Sequence, residues 1–125
     1  DYKVHCFGGK PECVLVCSNR ANDLKLDYYD LNWNYIDVVP ENLRSGYAIQ
    51  KPKGLDTMIE IATKLSSRFP MARIDFYDIN GKVYFGEITL TPAGGNLRYI
   101  NQKWQRILGD KISFDGYTDS MVKRI

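Results

Sequence analysis

Two short runs joined by a tight connection constrain the fold of this chain more than any other feature. Residues 72–77 and 83–89 alternate apolar with polar side chains, and residues 78–82 connect them through an Asn-Gly pair. An alternation with a period of two predicts strands that bury one face, and a short connection containing Asn-Gly predicts a β-hairpin. The register of this hairpin then decides which polar side chains share a face, because a slip of one residue reverses every side chain.

Two registers compete for this hairpin. A two-residue turn at Asn80-Gly81, the favoured type I′ signal, pairs Ile79 with Lys82. In a regular ladder that register places Asp75 and Glu87 on opposite faces.

The alternative is a three-residue loop, 79–81, with Gly81 left-handed in a bulge. It pairs Asp78 with Lys82 and Arg73 with Glu87. We prefer this register because it assembles one apolar face, as a sheet with one buried side requires. That face consists of Ala72, Ile74, Phe76, Tyr84, Ile88 and Leu90. The other face carries Arg73, Asp75, Glu87 and Thr89.

The polar face has the chemistry of a magnesium and phosphate site. In the preferred register Asp75 is the diagonal neighbour of Glu87, at roughly 7–8 Å between backbones. Magnesium takes hard oxygen ligands and commonly binds one or two carboxylates together with phosphate and water. Arg73 adds a permanent fork of donors for phosphate oxygens. The same residues also fit a solvated sheet face with an ordinary cross-strand ion pair, and the pattern alone leaves both interpretations open.

A family resemblance becomes specific at these residues. Arg73-x-Asp75, followed by Glu87-x-Thr89-x-x-Pro92, resembles the metal-binding segment of the ATP-grasp superfamily, whose general pattern is R-x-D followed by E-x-N-x-x-P. The stretch RIDFYDINGKVYFGEITLTPAGG is similar to the TupA-like ATP-grasp family, which is associated with teichuronopeptide and other surface-polysaccharide biosynthesis. Further similarity at residues 1–10, 29–33 and 51–53 extends the resemblance over most of the chain.

The resemblance implies magnesium ligands. Asp75 and Glu87 would hold magnesium ions that bridge the ATP phosphates, with Glu87 the better candidate to bridge two ions. Thr89 stands where the general pattern has Asn, and its hydroxyl is the weaker ligand. We therefore expect Thr89 to reach the metal through water.

The resemblance also implies phosphate-binding cations. Arg73 matches the arginine that steadies the transferring phosphoryl group and the acyl phosphate. Lys3, in a segment that resembles the D-x-[RK] pattern of the family, would contact nucleotide phosphates, and Arg20 is a fainter candidate for the same role. For Lys3 and Arg20 the alternative is an exposed cation at a strand edge.

The chemistry implied by the resemblance is carboxylate activation. ATP phosphorylates a carboxylate to an acyl phosphate, and an amine or similar nucleophile then displaces phosphate. Positioning and charge neutralisation supply nearly all the catalysis of the first step, so no side-chain nucleophile is required. At 125 residues and 14.4 kDa the chain fits one domain, smaller than a complete ATP-grasp enzyme. We expect a carboxy-terminal fragment that lacks the upstream lobe and is inactive alone.

Composition narrows the remaining classes. A net charge of +2, from 17 basic and 15 acidic residues, gives no concentrated basic patch for nucleic acid. No apolar run approaches the roughly 20 residues of a membrane span. The odd count of three cysteines, Cys6, Cys13 and Cys17, without a CxxC spacing, argues against disulfides or structural zinc and favours buried thiols in a reducing compartment such as the cytoplasm. His5 has no histidine partner, and we interpret it as structural.

The other elements complete an α+β prediction. A first hairpin is expected over 3–7 and 12–18, an amphipathic helix over 55–69, and a second helix over 98–108. The sum is a mostly antiparallel sheet with helices packed on one face, similar to the carboxy-terminal subdomain of ATP-grasp enzymes.

Four aromatic residues lie between the first hairpin and the helix. Tyr28, Tyr29, Trp33 and Tyr35 form either a stacking surface for a base or sugar or the cover of a small core. They support an alternative function, a non-catalytic carbohydrate- or protein-binding module.

Overall fold

A six-stranded antiparallel sheet with one α-helix on one face makes up the part of the chain that the computed structural model describes, residues 1–18 and 23–90. The strands are β1 (Tyr2–Phe7), β2 (Lys10–Ser18), β3 (Lys25–Tyr29), β4 (Tyr35–Ile36), β5 (Met71–Ile79) and β6 (Lys82–Thr89). A short 3-10 helix, Glu41–Leu43, and one α-helix, α1 (Leu55–Ser66), complete these residues. The α+β class and the mostly antiparallel sheet are confirmed. The predicted second helix, 98–108, lies outside the described residues.

The strand order is β4-β3-β2-β1-β5-β6, so β1 lies inside the sheet. The predicted first hairpin is confirmed, with Gly8 and Gly9 in its turn at φ of 60° and 79°. Residues with a side chain rarely adopt such values. The other neighbour of β1 is β5, from which it is separated by more than 60 residues of chain. This distant pairing places Lys3 opposite Asp75 and His5 opposite Arg73.

The helix covers one face of the sheet, called the helix face here. Its core contains Val4, Cys6, Val14, Leu55, Met58, Ala62, Ala72, Ile74 and Phe76. In α1 the buried apolar residues recur at positions 55, 58 and 62, which is the spacing of one helical stripe. Each fully buried large side chain contributes about 1.5–3 kcal/mol. The predicted helix is confirmed, although it ends at Ser66, a few residues before Pro70. Within the described residues no helix is long and apolar enough to cross a membrane.

The opposite face of the sheet divides into two parts. An apolar part contains Phe7, Cys13, Leu15, Cys17, Leu26, Tyr28, Val38, Val39 and Met71. A polar part, along β1, β5 and β6, carries the charged residues discussed below. All three cysteines are buried thiols outside any disulfide, as the sequence predicted.

The β5–β6 hairpin turns at Asn80-Gly81, with φ of 55° and 91°, and pairs Ile79 with Lys82. Positive φ at both central residues is what a type I′ turn requires. The preferred three-residue loop is therefore wrong, and the two-residue turn is the one that forms.

A β-bulge further along the hairpin changes the register. Phe76 pairs with Phe85, whereas Ile74 pairs with Ile88, so two residues of β6 oppose Asp75 alone. The extra residue returns Glu87 to the face of Asp75, which an unbroken ladder with this turn would not do. The prediction that both carboxylates share a face was therefore correct, but the register that led to it was wrong.

The two-residue turn and the bulge also change the predicted partners of two residues, Tyr84 and Arg73. Tyr84 pairs with Tyr77 on the polar side, so Phe85 and not Tyr84 lies on the apolar side of β6. Arg73 is directly opposite Thr89, where the preferred register had placed Glu87.

The turn of this hairpin is fastened to the start of α1. Asp78 accepts hydrogen bonds from the backbone N–H groups of Gly54 and Gly81, both at 2.7 Å. A Cβ at Gly54 would lie 2.3 Å from a methyl group of Val83. Only a glycine at position 54 allows the backbone to lie this close to Val83. The close contact and the Asp78 hydrogen bond together fix the β5–β6 hairpin relative to the start of α1.

Candidate functional site

A buried ion pair crosses from β1 to β5. The Lys3 Nζ donates to Asp75 Oδ2 at 2.7 Å, and both residues are about 95% buried, at 5% and 4% relative exposure. The alternative interpretation of Lys3 as an exposed cation at a strand edge is wrong, because β1 has a neighbour on each side. A lysine buried at this depth needs a charged partner, and Asp75 is that partner.

Arg73 binds the same carboxylate from within β5. Its Nε donates to Asp75 Oδ1 at 2.9 Å and its Nη2 to Oδ2 at 3.1 Å, a bidentate arrangement. The Nη2 also donates to Thr89 Oγ1 at 3.4 Å and lies 3.8 Å from a Glu87 oxygen. Arg73 therefore connects all three residues that the sequence proposed as metal ligands.

Asp75 and Glu87 differ in how fully Lys3 and Arg73 occupy their carboxylate oxygens. Asp75 accepts three charge-assisted hydrogen bonds, out of the roughly four lone-pair positions that a carboxylate offers. The Glu87 side chain is 67% exposed, and its one ionic contact within residues 1–18 and 23–90 is the 3.8 Å approach to Arg73. Asp75 is thus fixed in place, whereas Glu87 is available to a ligand.

These residues line a cavity of about 370 Å³. Its wall is formed by Asp1, Lys3, Asp75, Tyr77, Gly86 and Glu87. The sequence analysis missed Asp1, Tyr77 and Gly86 as site residues. Asp1 lies 3.4 Å from Lys3 Nζ. The alternation of side chains along a strand could have identified two of them. Asp1 is two residues before Lys3 and Tyr77 is two residues after Asp75, so each lies on the same face as that neighbour.

His5 lies behind this cluster, opposite Arg73 in the sheet. It is buried, its ring contacts Tyr28 at 5.6 Å, and neither ring nitrogen has a hydrogen-bond partner among the described residues. Its pKa is lowered to about 4, mainly by burial and also by the nearby positive charges of Arg73 and Lys3, while Asp75 acts in the opposite direction. His5 is therefore neutral at pH 7 and adds no charge to the site. The structural interpretation from sequence agrees with this environment.

The donor set can be compared with the needs of magnesium. Among residues 1–18 and 23–90, no three or more His, Cys, Asp or Glu side chains come together as a metal-binding group. Magnesium does not need such a group, since one or two carboxylates suffice when phosphate and water complete the shell. Glu87 is one available carboxylate, and Asp75 retains about one lone-pair position. The residues present fit a magnesium ion that arrives with a phosphate ligand.

Of the remaining predicted residues, the four aromatic ones do not line this cavity. Arg20 lies outside the described residues. The four aromatic residues do not form one surface, because Tyr28 belongs to the core opposite the helix. On the helix side Tyr29 stacks on Trp33, with centroids 4.3 Å apart and planes at 3°, and Tyr35 meets Tyr29 edge-on at 5.6 Å. Adjacent residues of a strand point to opposite faces, which separates Tyr28 from Tyr29.

Comparison with known proteins identifies the family. No curated protein and no solved structure gives a significant match to the chain. The model of the family described as TupA-like ATPgrasp matches residues 1–113 of the 125. The matched range includes Lys3, Arg73, Asp75 and Glu87, and with them the whole β5–β6 hairpin. The chain therefore belongs to the TupA-like ATP-grasp family.

Proposed function

We propose that this chain is the magnesium–ATP-binding half of an ATP-grasp ligase that activates a carboxylate as an acyl phosphate. The observation that carries the proposal is the convergence of Lys3, Asp75 and Glu87 on one cavity, with Arg73 bound to Asp75 and 3.8 Å from a Glu87 oxygen. Three strands supply these residues. Membership of the family supports an ATP-grasp-related function. A full ligase of this type needs a second lobe to enclose the nucleotide, and that lobe would lie outside these 125 residues.

Arg73 is the residue we assign to the transferring phosphoryl group. Its Nε and Nη2 are held by Asp75, so the guanidinium plane is fixed before any substrate arrives. Among the described residues, no hydrogen bond engages its Nη1, which retains two donors. A preorganised donor stabilises developing charge without reorganisation during the reaction. Lys3 supplies a second positive charge at the cavity wall for nucleotide phosphates.

Glu87 and Asp75 would hold the metal. Glu87 is the principal ligand because it is exposed to the cavity, Asp75 contributes its remaining lone pair, and Thr89 acts through water. When bound, magnesium neutralises phosphate charge and orients the phosphates. Asp75 has a second task as a positioning residue, since it holds both Arg73 and Lys3 in place.

The proposed reaction has two steps. A carboxylate oxygen of the substrate forms a bond to the γ-phosphorus of ATP as the bond to ADP breaks. An amine or similar nucleophile then attacks the acyl carbon, and inorganic phosphate leaves with the bonding electron pair. The family's association with surface polysaccharides suggests that this ligase acts in the bacterial cytoplasm, on precursors of a surface polysaccharide or teichuronopeptide.

The test is a titration of the 125-residue chain with ATP, with and without magnesium, followed by calorimetry and amide chemical shifts. We expect magnesium-dependent shifts at Arg73, Asp75 and Glu87. Glu87→Gln should abolish them and leave the fold intact, because its side chain is largely exposed.

The matched control is Glu60→Gln, an equally exposed glutamate on α1. It should bind ATP like the unaltered chain. Binding that is independent of magnesium, or equal in Glu87→Gln and Glu60→Gln, would overturn the assignment of Glu87.

A further inference from the structure

A second cavity, of about 540 Å³, lies near the β3–β4 edge of the sheet. Its aromatic wall is made by Tyr29, Trp33, Tyr35 and Tyr47. Tyr29 pairs with Val14, which belongs to the core under α1, so this cavity is on the helix face of the sheet. The charged cluster around Asp75 is on the opposite face, and the cavity is therefore a separate place on the molecule.

The aromatic wall is held in position by hydrogen bonds. Trp33 has a positive φ of 67°, which is uncommon for a residue with a large side chain. The Asp30 carboxylate fixes the loop by accepting from the backbone N–H groups of Asn32 and Asn34, both at 2.9 Å. The indole Nε1 donates to the Ile49 carbonyl at 2.7 Å. The strained conformation is thus maintained by specific contacts that hold the indole in the wall.

The same chain segment is fastened from its other end. The Tyr29 hydroxyl accepts from the backbone N–H of Ile49 at 2.9 Å. Tyr29 and Trp33 are therefore both hydrogen-bonded to the backbone of Ile49, which also lines the cavity. The wall is formed before any ligand binds, and a preformed wall lowers the entropic cost of binding.

A buried carboxylate lies in the lining of this cavity. Asp27 is 1% exposed, and its Oδ1 accepts from the Ser45 backbone N–H at 3.3 Å. Its Oδ2 has no hydrogen-bond partner among the described residues. A buried polar atom without a partner is costly, and in native proteins it usually marks a place for water or a ligand. Because Asp27 is one of the residues that line the cavity, a hydroxyl group bound there can satisfy this oxygen directly or through one water.

The charge of the lining selects the class of ligand. Arg44 also lines the cavity, and it is fixed by Asp37 and by the Val39 carbonyl, to which its Nε donates at 2.6 Å. A carboxylate and a guanidinium in one cavity favour a neutral ligand over an ion of either sign. The carboxylate accepts from hydroxyl groups and the guanidinium donates to them, and the flat apolar face of a ring can rest on an aromatic side chain.

We propose that this cavity is a carbohydrate subsite that binds one neutral pyranose ring. The ring lies against the exposed aromatic side chains, Tyr35 and Tyr47, and one of its hydroxyl groups donates toward Asp27 Oδ2. This inference does not rest on the proposed ATP site, since no residue is common to the two cavities.

The experiment titrates the 125-residue chain with three methyl pyranosides, of glucose, galactose and N-acetylglucosamine. The readouts are the Trp33 indole resonance, assigned with Trp33→Phe, and the amide signals of residues 44–49. We expect saturable shifts with a dissociation constant on the order of 1 mM for at least one sugar. Adenosine and propylammonium chloride serve as an aromatic base and a cation, and tighter binding of either would overturn the proposal, as would the absence of shifts with all three sugars.

Variants separate the cavity from the rest of the molecule. Tyr47→Ala removes an exposed ring and should weaken sugar binding at least about tenfold, as expected for losing about 1.4 kcal/mol of stacking. Tyr84→Ala, which removes a similarly exposed tyrosine from β6, is the matched control and should bind normally. Asp27→Asn should weaken binding as well, and its fold is checked by the unchanged Trp33 resonance. Equal affinities of Tyr47→Ala and Tyr84→Ala would overturn the proposal. Glu87→Gln should leave sugar binding unchanged even if it abolishes ATP binding.

Discussion

The two cavities of this molecule treat a buried carboxylate in opposite ways. Asp75 accepts three charge-assisted hydrogen bonds, one from Lys3 and two from a bidentate Arg73. Asp27 is more deeply buried, yet one of its oxygens has no partner among the described residues. The comparison teaches that burial alone does not define a site. At the first cavity Asp75 is neutralised by two cations, and the neighbouring Glu87 is the carboxylate exposed to a ligand. At the second cavity Asp27 itself has an oxygen that can accept a hydrogen bond.

The largest expected difference between the two carboxylates is in stability. Asp75→Asn removes the charge that Lys3 and Arg73 share and leaves only the longer contacts, Lys3 with Asp1 at 3.4 Å and Arg73 with Glu87 at 3.8 Å. We expect the free energy of unfolding to fall by about 3–5 kcal/mol. Asp27→Asn retains an acceptor for the Ser45 N–H and removes an uncompensated charge, so its effect should be within about 1 kcal/mol. Urea denaturation monitored by circular dichroism measures both. Equal losses of unfolding free energy for the two variants would show that the ion pairs of Asp75 do not add to stability.

The charged cluster should also make stability depend on pH through His5. The folded pKa of His5 is lowered to about 4 by burial and by the adjacent cations. The unfolded chain then binds the proton more readily between pH 6.5 and 4, so stability is fully present above pH 6.5 and is lost as pH falls through this window. The loss is on the order of 3 kcal/mol at pH 4, because one pKa unit corresponds to about 1.36 kcal/mol.

The measurement is the difference in unfolding free energy between the unaltered chain and His5→Phe from pH 7 to pH 4. The difference should change steadily across that window, and a constant difference would contradict the burial of a neutral imidazole. Lys3, Arg73, Asp75 and the Tyr28 ring face His5 in both proteins, so their own titrations largely cancel in the comparison.

The bulge at Gly86 provides a geometric test of the charged site. A Cβ at this position would lie 3.1 Å from the Tyr77 ring and 3.2 Å from the Asp75 carbonyl oxygen. Gly86→Ala should therefore cost about 1–2 kcal/mol through overpacking and weaken magnesium-dependent ATP binding. Calorimetry of ATP binding and thermal unfolding report the two effects. Methyl pyranoside binding should be unaffected, and an equal loss at both cavities would show that the effect is global.

The smallest expected effect on stability is that of Glu87→Gln. Its contact with Arg73 is long and exposed, and such pairs contribute about 0–1 kcal/mol. We expect the free energy of unfolding to change by less than about 0.5 kcal/mol while magnesium-dependent ATP binding is lost. Denaturation and ATP titration of the same preparation distinguish the two. A large loss of stability would place Glu87 in the structural framework with Asp75.

The hairpin illustrates how far the sequence could predict the site. Alternation and the Asn-Gly signal located both strands, and the type I′ turn was one of the two registers considered. The bulge was not foreseen, because alternation carries no sign of an extra residue until a partner strand is present. Only the tight fit of Gly86 against Asp75 and Tyr77 explains why β6 gives up regular pairing at that residue.

The burial of Lys3 and the separation of the aromatic residues could not be predicted from the sequence for a related reason. Lys3 was either a phosphate ligand or an exposed cation, because the sequence does not reveal that β1 pairs with a strand 70 residues away. The aromatic residues were grouped by proximity in the chain, whereas the sheet sends Tyr28 and Tyr29 to different faces. The residues of the second cavity beyond that group, such as Asp27 and Arg44, carry no motif.

The sequence by itself determined the two hairpins, the helix α1, the α+β class, the family and the identity of the charged residues, but not the strands β3 and β4. Each of these depends on short-range periodicity, turn chemistry or motif spacing, which are written in neighbouring residues. The tertiary structure decided the register of the β5–β6 hairpin, the burial of Lys3 and Asp75, and the existence of the second cavity. These properties arise from long-range pairing and packing, in which the free energy of a residue depends on partners that the local sequence does not specify.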